Sequence, residues 1–97
     1  MMLKRTVIGL VLLWLPAGAM AADAPPGASS CSGCHPASPS VDTPVKRLIG
    51  RNPADIVADV KAFRSGEKPA TIMDRIAKGF TDDETKAIAD WYGAQKD

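Results

Sequence analysis

Cys31-Ser32-Gly33-Cys34-His35 holds both cysteines and the one histidine of this 97-residue chain. Two thiols with two residues between them are spaced to reach the two vinyl groups of one haem. An imidazole directly after them is then carried beneath the iron as a proximal ligand. Two other uses of the pattern compete. A disulfide or thioredoxin-type redox pair also uses C-x-x-C, but the thioredoxin form requires strands around it, and no stretch here alternates with period two. A structural zinc site needs four ligands, and two cysteines with one histidine leave the fourth to a carboxylate or water. Covalent attachment of one haem c is the expectation these residues support best.

An iron held from one side by His35 needs a second axial donor. There is no other histidine, and Met20 falls in a segment expected to be removed, so Met73 is the thioether that remains. A methionine between Ile72 and Ile76 on a helical face would also serve as a core side chain, since methionine fills cores readily. With haem accepted, Met73 becomes the axial ligand. Two neutral donors, imidazole and thioether, favour reduced iron and raise the potential. With both positions filled, the iron carries single electrons, and no catalytic activity is expected of the chain alone.

The segments around these residues decide whether they can meet. Lys4 and Arg5 precede an apolar run over residues 7–15, Pro16 breaks it, and Ala19-Met20-Ala21 offers small residues for a signal peptidase. Residues 1–21 therefore read as a cleavable signal peptide, cut after Ala21, which sends the chain to the periplasm. Such a run reaches about half of a ~30 Å hydrocarbon core, so no stable membrane anchor is expected. Residues 22–30 form a Pro/Gly/Ser-rich leader with at most a short turn of helix, and residues 31–97 form the domain. The full chain has 12 Lys+Arg against 11 Asp+Glu. No concentrated basic face is available for nucleic acid.

Within the domain, Pro36, Pro39 and Pro44 deny a long helix, leaving a loop anchored by Val45, Leu48 and Ile49. Asn52-Pro53 opens a helix whose apolar side is Ile56, Val57, Val60 and Phe63, and Gly66 ends it. A shorter helix begins near Thr71, with Ile72, Met73 and Ile76 on one side and Gly79 at its stop. Thr81-Asp82-Asp83-Glu84 is a capping box, followed by an apolar face of Ala87, Ile88, Trp91 and Tyr92. The fold class is all-α, with three or four short helices around covalently attached haem. Large apolar side chains are few for a domain of this size, so haem is expected to complete the core, covered by Val57, Val60, Ile72, Ile76 and Ile88.

The chain resembles the class I c-type cytochromes, and most closely the cytochrome subunits of flavocytochrome c sulfide dehydrogenases. The general resemblance rests on Cys31, Cys34 and His35, on Met73, and on the helix over residues 82–92. The closer one rests on Ile49-Gly50-Arg51, the helix over residues 53–63 and the stretch from 63 to 80 around Met73. It covers roughly residues 30–95. It implies a periplasmic monohaem cytochrome that takes electrons from a sulfide-oxidising flavoprotein subunit and passes them to a downstream periplasmic cytochrome or oxidase. A free shuttle cytochrome for a terminal oxidase or another dehydrogenase is the alternative. A gas-binding or sensory haem module is another, from a different class. Two departures stand out. Many such subunits carry two haem domains where this chain has one motif, and the N-terminal helix that usually crosses the C-terminal one has few residues here. The resemblance also implies that Pro44, or else Pro39, supplies the backbone carbonyl that fixes the His35 ring. Lys68, Arg75 and Lys78 lie close to Met73 in sequence, and some of them are expected to rim the haem edge and help orient a partner.

Overall fold

The computed structural model describes Gly9 and residues 23–96, and these contain four helices and no strand. The helices are α1 (Ser29–Ser32), α2 (Pro53–Ser65), α3 (Met73–Ala77) and α4 (Asp82–Gly93). Apart from Gly9, the expected signal peptide and its cleavage point lie outside the described residues. No helix among the described residues is long and apolar enough to cross a membrane.

Local chemistry explains the two long helices. Asn52 precedes α2 and its side chain accepts from the Ala54 N–H at 2.9 Å, while Pro53 occupies the first turn, where a missing N–H costs nothing. α2 runs two residues past the expected Phe63 and stops at Gly66, whose φ is 84°. At α4, Thr81 Oγ1 accepts from the Glu84 N–H at 3.1 Å and Glu84 Oε1 accepts from the Thr81 N–H at 3.0 Å, the reciprocal capping box. Asp82, Asp83 and Glu84 in its first turn complement the positive end of the helix dipole.

The start of α3 and the buried face of α4 depart from expectation. α3 begins at Met73, not near Thr71, because Ile72 has a non-helical backbone and offers no capping side chain. Ile72 is 55% exposed, yet it lines one cleft with Met73 and Ile76 as expected. On α4 the buried face is Thr85, Ile88, Ala89 and Tyr92, a strict i, i+3, i+4, i+7 stripe, and Ala87 falls outside it on the exposed side.

α3 and α4 both pack on α2. The core gathers Ala28, Leu48, Ile56, Ile88, Ala89 and Tyr92, with Cys31, Ile49, Val57, Phe80 and Trp91 against it. α1 is a single turn and does not cross α4. Ala28, just before it, is fully buried and its carbonyl accepts from the Tyr92 hydroxyl at 2.5 Å, so the leader enters the core through one small residue. Gly27 makes that entry possible. Its φ is 86°, and a Cβ there would lie 2.6 Å from the Phe80 ring.

Candidate functional site

The single turn of α1 and its extension bring three expected residues together. The His35 N–H donates to the Cys31 carbonyl at 2.9 Å and the Cys34 N–H donates to the same oxygen at 3.2 Å. No disulfide joins the two cysteines, and Cys31 is half-buried while Cys34 is exposed. Burial pushes the Cys31 thiol pKa up, and a hydrogen bond involving Ser30 only partly offsets this.

The His35 ring is fixed by the loop that follows it. Nδ1 lies 2.5 Å from the Lys46 carbonyl oxygen. A carbonyl only accepts, so Nδ1 carries a proton and donates, and Nε2 is the ring nitrogen left to meet a metal. The acceptor is thus Lys46 and neither Pro44 nor Pro39. The reason is a turn: Thr43 Oγ1 accepts from the Val45 N–H at 3.2 Å, which leaves Pro44 exposed at the bend and brings the following limb against the ring. Arg47 closes the same loop, its Nε and Nη2 donating to the Ala37 carbonyl at 3.1 and 2.5 Å.

Cys31, Cys34, His35 and Met73 all line one cleft of about 450 Å³. Its walls are mostly apolar, with Val60, Ile72, Ile76 and Ile88 among them as expected. Val57 is not there. It packs on the core cluster and faces a separate groove between α2 and α4, because it lies about 100° round the helix from Ile56, off the face of Ile56, Val60 and Phe63 that lines the cleft. Among the described residues no three His, Cys, Asp or Glu side chains converge as a metal cage. A planar apolar cofactor with a metal at its centre suits this cleft better than a bare ion: two thiols and an imidazole stand in one turn, a thioether stands on the wall, and hydrocarbon lines the remainder.

One polar cluster interrupts the apolar walls, and sequence reasoning missed it. Asp59 Oδ2 accepts from Arg51 Nη2 at 3.1 Å, and Asp59 Oδ1 accepts from Lys68 Nζ at 3.1 Å. Burial alone would raise the Asp59 pKa, but the hydrogen bonds and charges of Arg51 and Lys68 outweigh it and hold the carboxyl below its ordinary range. Lys68 also lies 5.2 Å from the Phe63 ring centroid. Of the three expected rim cations, only Lys68 reaches the cleft, and Asp59 already engages it. Arg75 and Lys78 are exposed and stand off the cleft wall. No local signal marks Asp59, since its partners come from a loop and from residues beyond the end of α2.

No family model matches the chain. It is 33% identical over 64 residues to the cytochrome subunit of sulfide dehydrogenase from Chlorobaculum tepidum, a stretch that covers 66% of this chain and 58% of that relative. It is 34% identical over 73 residues to the thiosulfate dehydrogenase electron acceptor of Thiomonas intermedia, covering 71% of this chain and 34% of that one. The chain thus spans little more than half of the first relative and about a third of the second. One relative is named a cytochrome and the other an electron acceptor, so the likeness is to electron-transfer proteins of the cytochrome type.

Proposed function

We propose that this chain is an exported monohaem c-type cytochrome that carries single electrons, the cytochrome subunit that accepts them from a sulfide-oxidising flavoprotein. Cys31 and Cys34 would hold the haem through their sulfurs, and His35 through Nε2 and Met73 through its sulfur would ligate its iron. The observation that carries this reading is the arrival of all four side chains at one mostly apolar cleft, with the His35 tautomer already set by the Lys46 carbonyl. When bound, the haem supplies one-electron chemistry. The chain's own part is to orient the imidazole and to exclude water with Val60, Ile76 and Ile88.

Export is part of the proposal, with removal of residues 1–21 placing the motif where this kind of attachment occurs. Likeness to the sulfide dehydrogenase subunit supports a flavoprotein donor. Likeness to the thiosulfate dehydrogenase electron acceptor supports a second reading, in which the donor is a thiosulfate-oxidising enzyme and the chain is a free shuttle. Two measurements test the proposal. Intact mass of the exported protein is expected to show the mature chain plus one haem, and a chain without that added mass, two hydrogen atoms lighter than its dithiol form, rejects attachment. Anaerobic mixing with a flavoprotein sulfide dehydrogenase subunit and sulfide is expected to reduce the cytochrome at substoichiometric flavoprotein. Reduction only by thiosulfate with its dehydrogenase would transfer the assignment to the second reading.

A further inference from the structure

Arg64, in the last turn of α2, directs its whole guanidinium onto the far end of the segment that begins with Met73. Nε donates to the Ala77 carbonyl at 3.3 Å, Nη2 donates to the Phe80 carbonyl at 2.9 Å, and Nη1 donates to Asp82 Oδ1 at 2.6 Å. These acceptors are the last residue of α3, the linker beyond it and the first residue of α4. Ala77 is 1% exposed. A helix leaves its final carbonyls without partners, and a buried one has no water to turn to. The linker's own answer is weak, a Phe80 N–H at 3.5 Å from the Ala77 oxygen. Arg64 supplies the second donor, and its charge also suits the negative end of the helix.

α3 is only five residues long and has no side-chain cap at Ile72. A helix of that length has little stability of its own, so tertiary contacts set its position. The segment bearing it meets α2 on both sides of Met73. Before α3, the Lys68 N–H donates to the Ala62 carbonyl at 3.1 Å and the Lys68 ammonium reaches Asp59. After α3, Arg64 holds the end. Met73 and Ala77 lie one turn apart, about 6 Å along the axis, so any tilt at Ala77 is delivered directly to Met73.

We infer that Arg64 is a positioning residue that holds α3 by its C-terminal carbonyls and so sets where the Met73 sulfur stands in the cleft. The inference rests on Met73 being the axial donor of the proposed function. Its role is geometric, and it exchanges no proton or electron with the iron.

The test uses the haem-loaded protein in five forms: wild type, Arg64→Ala, Arg64→Lys, Asp82→Asn and Met73→Ala. The readouts are the long-wavelength absorption band of ferric iron with a thioether ligand, the rate of carbon monoxide binding to the reduced protein, and the unfolding temperature. Wild type is expected to show the band and resist carbon monoxide. Arg64→Ala is expected to lose most of the band and bind carbon monoxide on the order of tenfold faster, in line with losing charge-assisted hydrogen bonds. Arg64→Lys keeps a cation near Asp82 but loses the fork onto two carbonyls, and is expected to fall between. This form decides the matter should Arg64→Ala fail to accumulate. Asp82→Asn leaves both carbonyl bonds and is expected to keep the band, and a loss as large as that in Arg64→Ala would overturn the carbonyl clasp. A lowered unfolding temperature with the band and carbon monoxide rate unchanged in both Arg64 variants would make Arg64 merely structural. If wild type itself lacks the band and binds carbon monoxide as fast as Met73→Ala, then Met73 ligation fails, and the inference falls with it by a different signature.

Discussion

At the scale of single residues, the site divides into groups that sequence could name and groups it could not. Cys31, Cys34 and His35 lie within one turn, so their spacing alone brings them together, and Met73 followed by elimination among a few thioethers. The carbonyl that orients His35 was not legible. Every residue has a carbonyl, and only the path of the loop past Thr43 and Val45 decides that Lys46, and not Pro44, presents its oxygen to the ring. Met73→Ala isolates the one proposed donor that lies far from the motif. It leaves the two thiols and the imidazole untouched, so the covalently attached mass is expected to stay while the reduced protein gains carbon monoxide binding. Mass spectrometry and carbon monoxide difference spectra check both halves, and unchanged resistance would remove Met73 from the ligand set.

At the scale of elements, caps and stops made α2 and α4 readable, because Asn52-Pro53 and the Thr81/Glu84 pair act over three or four residues. α3 was less so, having no cap of its own. How the elements meet depends on groups of no obvious character. Gly93, in the last turn of α4, lies beneath the start of α2: a Cβ there would sit 2.6 Å from Pro53 Cγ and 2.7 Å from the Arg51 carbonyl oxygen. A backbone oxygen has little room to yield, so Gly93→Ala is expected to lower stability by roughly 1–3 kcal/mol while haem attachment continues. Denaturant unfolding of the haem-loaded variant measures it, and an unchanged midpoint would mean that α2 and α4 shift freely. The Asp59 cluster on the cleft wall, which ties α2 to the segments before and after it, gives the stability a pH dependence. The folded carboxyl is held below its ordinary range by Arg51 and Lys68, so its contribution is complete above the unfolded value and is lost as pH falls through the folded one. The loss therefore begins below about pH 4. Asp59→Asn is expected to flatten the acid limb of the stability curve and to cost on the order of 1 kcal/mol at neutral pH, since the pair is partly exposed and screened. A variant curve parallel to wild type below about pH 4 would show that Asp59 does not drive it.

At the scale of the whole molecule, the described residues contain little core of their own. Three of the buried apolar residues are alanines, and no large side chain is fully buried. The cleft lies where a larger protein would place its central side chains. Such scaffolds come out near zero stability before any staple is counted. Replacing both Cys31 and Cys34 with Ala is therefore expected to leave a chain with some helix and little fixed tertiary structure, seen as a shallow thermal transition and weak near-ultraviolet dichroism. A sharp cooperative melt with native-like helix content would show that the protein core suffices. The sequence by itself determined what depends on near neighbours: the grouping of Cys31, Cys34 and His35, the helix caps, the absence of strands among the described residues and the scarcity of apolar bulk. Tertiary structure alone decided what depends on segments far apart meeting, namely Ala28 beneath Tyr92, Lys46 against His35, Lys68 on Asp59 and Arg64 on the end of α3. Backbone groups and long flexible side chains carry these contacts, and such groups acquire partners only once the path of the chain is set.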